Sequence, residues 1–201
     1  MPYGFLDIAS TPAVRAAHEA NGSGEYWANF HGDRASDRFT PAEAAFVAER
    51  DSLYMATVSE SGWPYVQHRG GPPGFIRVLD ERTLAIPDFR GNRQYISTGN
   101  LATDDRAALI LMDYPHRRRL KLYAHVEAKD LADELALPGY RAKVERGLII
   151  HLAAFDWNCP QHIVPRFSEA ELEPALQPFR ARLEALEEEN KALRAKLAES
   201  R

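Results

Sequence analysis

Arg90, Gly91, Asn92 and Arg93 form a short polar loop between a strand-like apolar segment and a helix-like segment. Anions bind well where backbone N–H groups converge at a helix N-terminus and a fixed cation stands nearby. Arg93 would supply the cation from the first helical turn, and Ser97, one turn further on, would add a hydroxyl donor. The spacing predicts a site for a phosphate-bearing cofactor. A capped surface helix with solvated arginines is the alternative interpretation.

A second polar stretch runs through Gln67, His68, Arg69, Gly70 and Gly71 and continues into Pro-Pro-Gly. Glycines without side chains let a flat ring lie against the backbone, whose N–H and C=O groups can read the polar edge of that ring. A tight turn between two strands would explain the same glycines. We therefore treat this stretch as a candidate ring-binding segment.

The histidines and the single cysteine do not predict a metal site or a catalytic nucleophile. His68, His125 and His151 are too scattered to predict a metal site, and no His or Cys pair has the spacing of zinc ligands. Cys159 is expected to be a lone buried thiol rather than a nucleophile.

The elements that must position these residues are mostly short strands. Thr40, Pro41 and Glu43 predict a capped helix that runs to about Arg50. Further helices are expected at 12–20, 93–102 and 139–146, and strands at 53–59, 64–69, 74–79, 83–87, 106–113, 120–129 and 148–155. Tight turns between successive strands favour antiparallel pairing. Six or more such strands with few helices indicate a closed or nearly closed barrel.

From residue 168 onward the chain becomes helical and charged. Written as heptads, it puts Leu176, Leu183, Asn190 and Leu197 at one core position and Phe179, Leu186 and Leu193 at the other. This pattern predicts a coiled coil, and the flanking charges fit a parallel pair. The alternative is an amphipathic helix packed on its own barrel. We thus expect an N-terminal arm at 1–39, a barrel domain at 40–167 and a C-terminal helix at 168–201.

Composition limits the function classes. The chain has 201 residues, 45% of them hydrophobic, and a formal net charge of -4, so it predicts one main core and neither nucleic acid nor an anionic membrane as partner. The N-terminal residues lack a signal-like apolar stretch, and no apolar run matches the thickness of a bilayer. With one cysteine, we expect a soluble cytoplasmic protein.

The segments PYVQHRGGPPGF, TLAIPDFRGNRQYISTGNL, RAALILM and RLKLYAHVEA together resemble the pyridoxamine 5'-phosphate oxidase-like, FMN-binding split-barrel family. The resemblance covers roughly residues 50–130, with DWNCPQHIVPRF at 156–167 included in a subgroup. It implies a mainly β fold with flanking helices: a six-stranded antiparallel split barrel. It also implies a cytoplasmic homodimer with FMN at the subunit interface and oxidoreductase activity.

By resemblance, each part of the flavin would have its own residues. The flavin would be lined by the strand residues Gln67, His68, Arg69 and Gly70, and its ring or ribityl chain would be touched by Pro87 and Asp88. The phosphate would be held by Asn92 and Arg93, with contributions from Ser97 and Asn100 on the following helix. The partner subunit would contribute Trp157, Asn158 and Gln161. Small molecules or NAD(P)H are the expected substrates. The absence of G-x-G-x-x-G means that a nicotinamide would bind transiently over the flavin.

One departure from the family concerns the substrate. True pyridoxamine phosphate oxidases end in a substrate-binding Arg and His cluster, whereas this chain ends in EEENKALRAKLAES, which argues against activity on a vitamin B6 phosphate. Two alternatives stay open from the sequence. The same barrel could use F420 or haem, the latter with His68 or His151 as axial ligand, or the protein could be a non-enzymatic flavin sensor or storage protein.

Overall fold

A computed structural model of the protein describes residues 4–30, 36–157 and 159–199. The elements within these ranges, in chain order, are α1 (Phe5–Ala9), α2 (Pro12–Ala20), α3 (Gly24–Ala28), α4 (Pro41–Ala48), β1 (Ser52–Val58), β2 (Pro64–Gly70), β3 (Arg77–Val78), β4 (Thr83–Phe89), α5 (Ile96–Thr103), β5 (Arg106–Asp113), β6 (Arg118–Lys129), β7 (Val144–Trp157) and α6 (Glu169–Glu199).

The strands form one antiparallel sheet in the order β2-β1-β5-β6-β7-β4-β3. The predicted mainly β fold with flanking helices and a C-terminal helix is confirmed, but the sheet has seven strands instead of six and is not closed. The additional strand, β3, has only two residues and pairs with Leu84 and Ala85 of β4. The strand expected at 74–79 is this short because Gly74 adopts a positive φ of 86° and ends a turn, after which Phe75 and Ile76 are buried in the core.

The sheet curls until β2, at one edge, comes close to β4, next to the other edge. Two bulges on β7 help this bend, since a bulge increases local twist. The extra residues are Glu145, opposite Asp88 and Phe89 of β4, and Ala153, opposite Tyr123 and Ala124 of β6. Arg69 Nη1 on β2 lies 2.6 Å from Asp88 Oδ1 on β4. The contact crosses the split between the two ends of the sheet.

Alternating side chains of the strands fill the inside of this curl. The largest fully buried ones include Leu53, Met55, Leu109, Leu111 and Leu122, each from a strand that alternates buried with more exposed positions. On the outside, α1 covers β6, where the Phe5 ring stacks on Tyr123 with 4.4 Å between centroids. The core therefore holds the strand ends that carry the candidate site in fixed positions.

The helix starts follow local chemistry. At α4 the predicted capping box is present: the Thr40 hydroxyl accepts from Ala42 N at 3.2 Å, and Glu43 accepts from Thr40 N at 3.0 Å. The predicted helix α2 is also present, but α1 and α3 show that the N-terminal arm is less irregular than expected. The helix expected at 139–146 is wrong, because Val144 and Arg146 pair with β4 as part of β7.

The C-terminal helix α6 spans 31 residues and has no buried residue. Among the described helices, none is both long enough and apolar enough to cross a membrane.

Candidate functional site

A cavity of about 200 Å³ opens where β2, β4 and the start of α5 meet. Its lining comes from three strands, one loop and the first turn of α5: Tyr65, Gln67, Arg69, Asp88, Phe89, Gly91, Asn92, Arg93, Gln94, Tyr95, Ile96, Ser97, Thr98 and Glu145. The two polar stretches singled out in the sequence, 67–71 and 90–93, thus meet at one place, although 18 residues separate them along the chain.

Strand alternation decides which residues of β2 reach the cavity. Tyr65, Gln67 and Arg69 share one face and line it. His68 points to the opposite, exposed face, where its ring packs edge-on against Tyr54 with 5.3 Å between centroids. The structure therefore separates His68 from the residues with which it was grouped.

Arg69 is the buried cation of the cavity, its side chain only 9% exposed. Nη1 donates to Asp88 Oδ1 at 2.6 Å, and Nη2 donates to Gln67 Oε1 at 3.2 Å. Arg69 Nε is buried without a hydrogen-bond partner. Because buried polar groups nearly always have a partner, an unpaired guanidinium N–H beside a cavity indicates a place for an acceptor from a ligand.

The N-terminus of α5 faces the same space. Its N-cap residue Tyr95 has φ 52° and provides no side-chain cap, so the first-turn N–H groups have no capping acceptor. Ser97, in the first turn, is buried and donates from Oγ to Gln67 Oε1 at 2.8 Å. The helix starts at Ile96 rather than at the predicted residue 93, because Arg93 and Tyr95 both adopt left-handed conformations.

Glu145 of β7 holds the loop that leads into α5. Its carboxylate accepts from Arg90 Nε at 2.7 Å and from the Tyr95 hydroxyl at 3.1 Å. The Arg90 hydrogen bond, with a smaller contribution from Tyr95, lowers the pKa of Glu145. Arg146 adds a cation–π contact, with its guanidinium 5.1 Å from the centre of the Tyr95 ring. We call Glu145, Arg90 and Tyr95 the loop latch.

Arg93 differs from Arg69 in being exposed. Within the described ranges its side chain has no hydrogen bond or ion pair, and its φ is 61°. Asn92, by contrast, is used within the loop, where Oδ1 accepts from Gln94 N at 3.1 Å. Arg93 is thus a cation at the cavity that the fold itself does not engage.

Other predicted site residues have structural surroundings. Pro87 is buried in β4 opposite Gly147. Asn100 is buried and donates from Nδ2 to Thr57 Oγ1 at 3.0 Å. Gly70 ends β2, outside the cavity lining.

The glycine stretch after β2 is explained by packing. A side chain at Gly71 would place its Cβ 2.7 Å from Cγ of the Phe75 ring, so the space above this glycine is filled by the protein's own core. The tight-turn interpretation accounts for Gly71 without a bound ring.

The residues expected from a partner subunit do not line the cavity of their own chain. Trp157 ends β7, where its Nε1 donates to Glu43 Oε1 at 2.8 Å, and Gln161 is exposed in a turn. Arg146 follows the lining residue Glu145 on β7, and Trp157 lies eleven residues further along this strand. Eleven residues of extended chain span roughly 35 Å, so Trp157 is far from the cavity of its own chain. Asn158 lies outside the described residues. The cysteine expected to be buried, Cys159, is exposed.

Sequence reasoning missed several lining residues. Tyr65 could have been found, because it lies two residues before Gln67 on the same strand face. Glu145 carried no local signal, since its partner Tyr95 is 50 residues away.

The donors around this cavity suit a phosphate group. Arg69 offers a buried N–H without an acceptor, Arg93 offers an unengaged charge, and α5 offers an uncapped N-terminus. Among the lining residues, Asp88 and Glu145 are the anions, and each is paired with an arginine. The cavity is thus built to receive a negative charge.

Comparison with known proteins gives one sequence match. Residues 39–149, more than half of the chain, match the family model described as pyridoxamine 5'-phosphate oxidase. No curated protein matches the chain.

Several solved structures are similar to it. A putative pyridoxamine 5'-phosphate oxidase from Lactobacillus delbrueckii has 18% identity and a TM-score of 0.47, covering 60% of this chain and 94% of its own. An FMN-binding protein from Syntrophomonas wolfei has 11% identity and a TM-score of 0.44, covering 70% and 97%. HutZ, a haem storage protein from Vibrio cholerae, has 15% identity and a TM-score of 0.39, covering 59% and 94%.

Proposed function

The chain belongs to the pyridoxamine 5'-phosphate oxidase family, and from this premise we propose that it binds FMN and acts as an oxidoreductase. The observation that carries the proposal is the buried Arg69 Nε without a partner, beside the uncapped N-terminus of α5. A phosphate monoester carries up to two negative charges and several acceptor oxygens, which suit these donors.

Arg93 and the first turn of α5 would hold the phosphate of FMN. Arg69 lies deeper, between Gln67 and Asp88, and would offer Nε to an acceptor on the ribityl chain or the ring. Ser97 and Gln67 already bond to each other, which fixes the floor of the cavity before a ligand arrives. This preorganisation supports binding, because fewer side chains must be ordered when the ligand enters.

The size of the cavity supports a site that one subunit leaves incomplete. Its volume of about 200 Å³ is below the roughly 300–1,000 Å³ of pockets that enclose a small molecule. It suits the phosphate end of FMN better than the entire cofactor. A second subunit would then cover the ring, with Trp157 and Gln161 of the partner subunit as candidates.

The outer face of β1, β2 and β5 is the surface we propose for this homodimer. Tyr54, Val66 and Ile110 lie there, 40%, 61% and 38% exposed, and the register brings Tyr54 opposite Ile110. Contiguous exposed apolar side chains on a sheet are typical of a protein interface. His68 lies on this same face, opposite Tyr54.

When bound, FMN supplies the redox chemistry by accepting or donating hydride at its central ring. The protein's own residues would position it and set the local charge. Arg69 would keep positive charge near the flavin, and its pair with Asp88 keeps that guanidinium in place. Glu145 would act on the phosphate loop through Arg90 and Tyr95 rather than on a substrate.

The lining supports FMN over haem. Haem iron is held by His, Cys, Met or Tyr, and the lining offers two tyrosines but no histidine, cysteine or methionine. His68 lies on the outer face of β2, and His151 pairs with Glu127 at 3.1 Å. Neither of the histidines suggested as axial ligands therefore reaches this cavity.

The deciding experiment is the absorption spectrum of the purified full chain, followed by release of any chromophore and titration of the emptied protein with FMN. We expect flavin bands and saturable binding of FMN. A colourless protein that fails to bind added FMN would overturn the proposal. Full occupancy without turnover of NADH, NADPH or artificial acceptors would favour the flavin sensor or storage protein over the enzyme.

A further inference from the structure

Helix α6 exposes a long row of apolar side chains. Leu172, Leu176, Phe179, Leu183, Leu186, Leu193 and Leu197 are between 40% and 73% exposed. The helix has no buried residue, so its apolar face is not packed on the barrel of its own chain. Most helical stability in proteins comes from packing of an apolar face rather than from the helix alone, which means that this face needs a partner for stability.

The row follows a heptad repeat. Leu176, Leu183, Asn190 and Leu197 occupy position a, and Leu172, Phe179, Leu186 and Leu193 occupy position d. The two prolines inside the helix, Pro174 and Pro178, fall at the outward positions f and c. From Phe179 to Leu197 the seam is free of proline and extends for roughly 28 Å at 1.5 Å per residue.

We propose that α6 pairs with α6 of a second copy of this chain in a parallel, in-register, two-stranded coiled coil. Asn190 is the first reason. In a parallel pair each a residue faces its own counterpart, so Asn190 meets Asn190 of the partner subunit and the two amides can hydrogen-bond. In an antiparallel pair a faces d, and Asn190 would be buried against Phe179, Leu186 or Leu193 without a polar partner.

Charge is the second reason. In the parallel register Arg182 at g faces Glu187 of the partner subunit at e, and Glu189 at g faces Arg194 of the partner subunit at e. Two-fold symmetry doubles both pairs. In the antiparallel arrangement centred on the layer of Leu186 and Asn190, e faces e and g faces g, so glutamate meets glutamate near the centre. That arrangement is disfavoured by charge as well as by Asn190.

The link to the barrel is compatible with this pairing. Arg166, just before α6, lies over the Tyr114 ring with 4.9 Å from its guanidinium to the centroid. Tyr114 sits in the turn between β5 and β6 and interacts with the side chain of Tyr54, which is on the exposed sheet face. A parallel coil would therefore begin beside the sheet face proposed for the barrel dimer, and one two-fold axis could serve both contacts.

The test is disulfide trapping in the full-length protein, with the exposed Cys159 first replaced by serine. In this background Leu183→Cys places a thiol at position a, and Glu188→Cys places one at the outward position f as the matched control. In a parallel in-register pair the two copies of residue 183 face each other within the reach of a disulfide. Under mild oxidation we expect Leu183→Cys to convert to covalent dimer at least ten times faster than Glu188→Cys.

Equal rates for the two variants, or no covalent dimer from Leu183→Cys, would overturn the proposal. Circular dichroism of the reduced proteins verifies folding; since α6 does not pack on the barrel, neither substitution should alter it. Adding Asn190→Leu to the Leu183→Cys variant should slow trapping, because other registers and orientations then compete. This inference does not depend on FMN, so a failed flavin titration would leave it intact.

Discussion

Arg93→Ala is the sharpest test of the phosphate site. Arg93 is exposed, and in the described part of the chain its side chain has no hydrogen bond or ion pair, so its removal should not unfold the protein. Alanine keeps a Cβ, which means that the strain of the left-handed φ of 61° is about the same in both proteins. Any loss of FMN affinity then reports the lost contact with the ligand.

The expected loss follows from the kind of contact. A hydrogen bond to a charged group contributes about 1.5 to 3 kcal/mol. At 1.4 kcal/mol per factor of ten, the dissociation constant of FMN should rise about 10- to 150-fold. Because Arg93 is exposed to solvent, the effect should shrink as salt rises from 0.1 to 1 M and the Debye length falls from about 10 to about 3 Å.

Fluorescence titration with FMN and with riboflavin, which lacks the phosphate, isolates the interaction. Arg93→Ala should weaken FMN binding and leave riboflavin binding unchanged, so that the difference measures the coupling between Arg93 and the phosphate. Arg117→Ala is a matched control, because Arg117 is also exposed, has φ 54° and lies in the turn between β5 and β6, outside the cavity lining.

Unchanged FMN affinity in Arg93→Ala would refute the assignment of the phosphate to this cavity. Equal losses for FMN and riboflavin would also refute it, since the arginine would then act on something other than the phosphate.

Two further changes test the walls of the cavity. Arg69→Met removes the main partner of buried Asp88 and leaves only Arg146 Nε, 3.5 Å away. It should lower the free energy of unfolding by about 3 kcal/mol in urea titrations, and adding Asp88→Asn should restore part of that loss. An unchanged urea midpoint in Arg69→Met would contradict a stabilising role of the pair. For Glu145, the Arg90 hydrogen bond lowers the folded pKa below its unfolded value, so the stabilisation is present at neutral pH and is lost as pH falls through that lowered pKa. Urea midpoints of wild type and Glu145→Gln should differ at pH 7 and converge in acid below the ordinary glutamate range of about 4.3, whereas a constant difference would show that the carboxylate charge does not stabilise the latch.

Local pattern predicted most elements of the fold. The strand at 106–113 was predicted with its observed bounds, because a short continuous apolar run stands between charged Arg106 and Asp113, and the capping box of α4 was visible in Thr40 and Glu43. The helix expected at 139–146 was wrong because charged and apolar residues there also fit a helical period. Pairing with β4, which no local pattern reveals, makes the last three residues of this segment, 144–146, the start of β7.

In the site, the sequence by itself determined which residue types could bind a phosphate and where they stand along the chain. Only the tertiary structure decided which of them meet. Strand alternation turns Gln67 and Arg69 into the cavity and His68 away from it, and the curl of the sheet brings Asp88 to Arg69. Glu145 joins the loop from 50 residues away. Spacing along the chain specifies local conformation, but contacts across the split depend on how the whole sheet bends around its buried core.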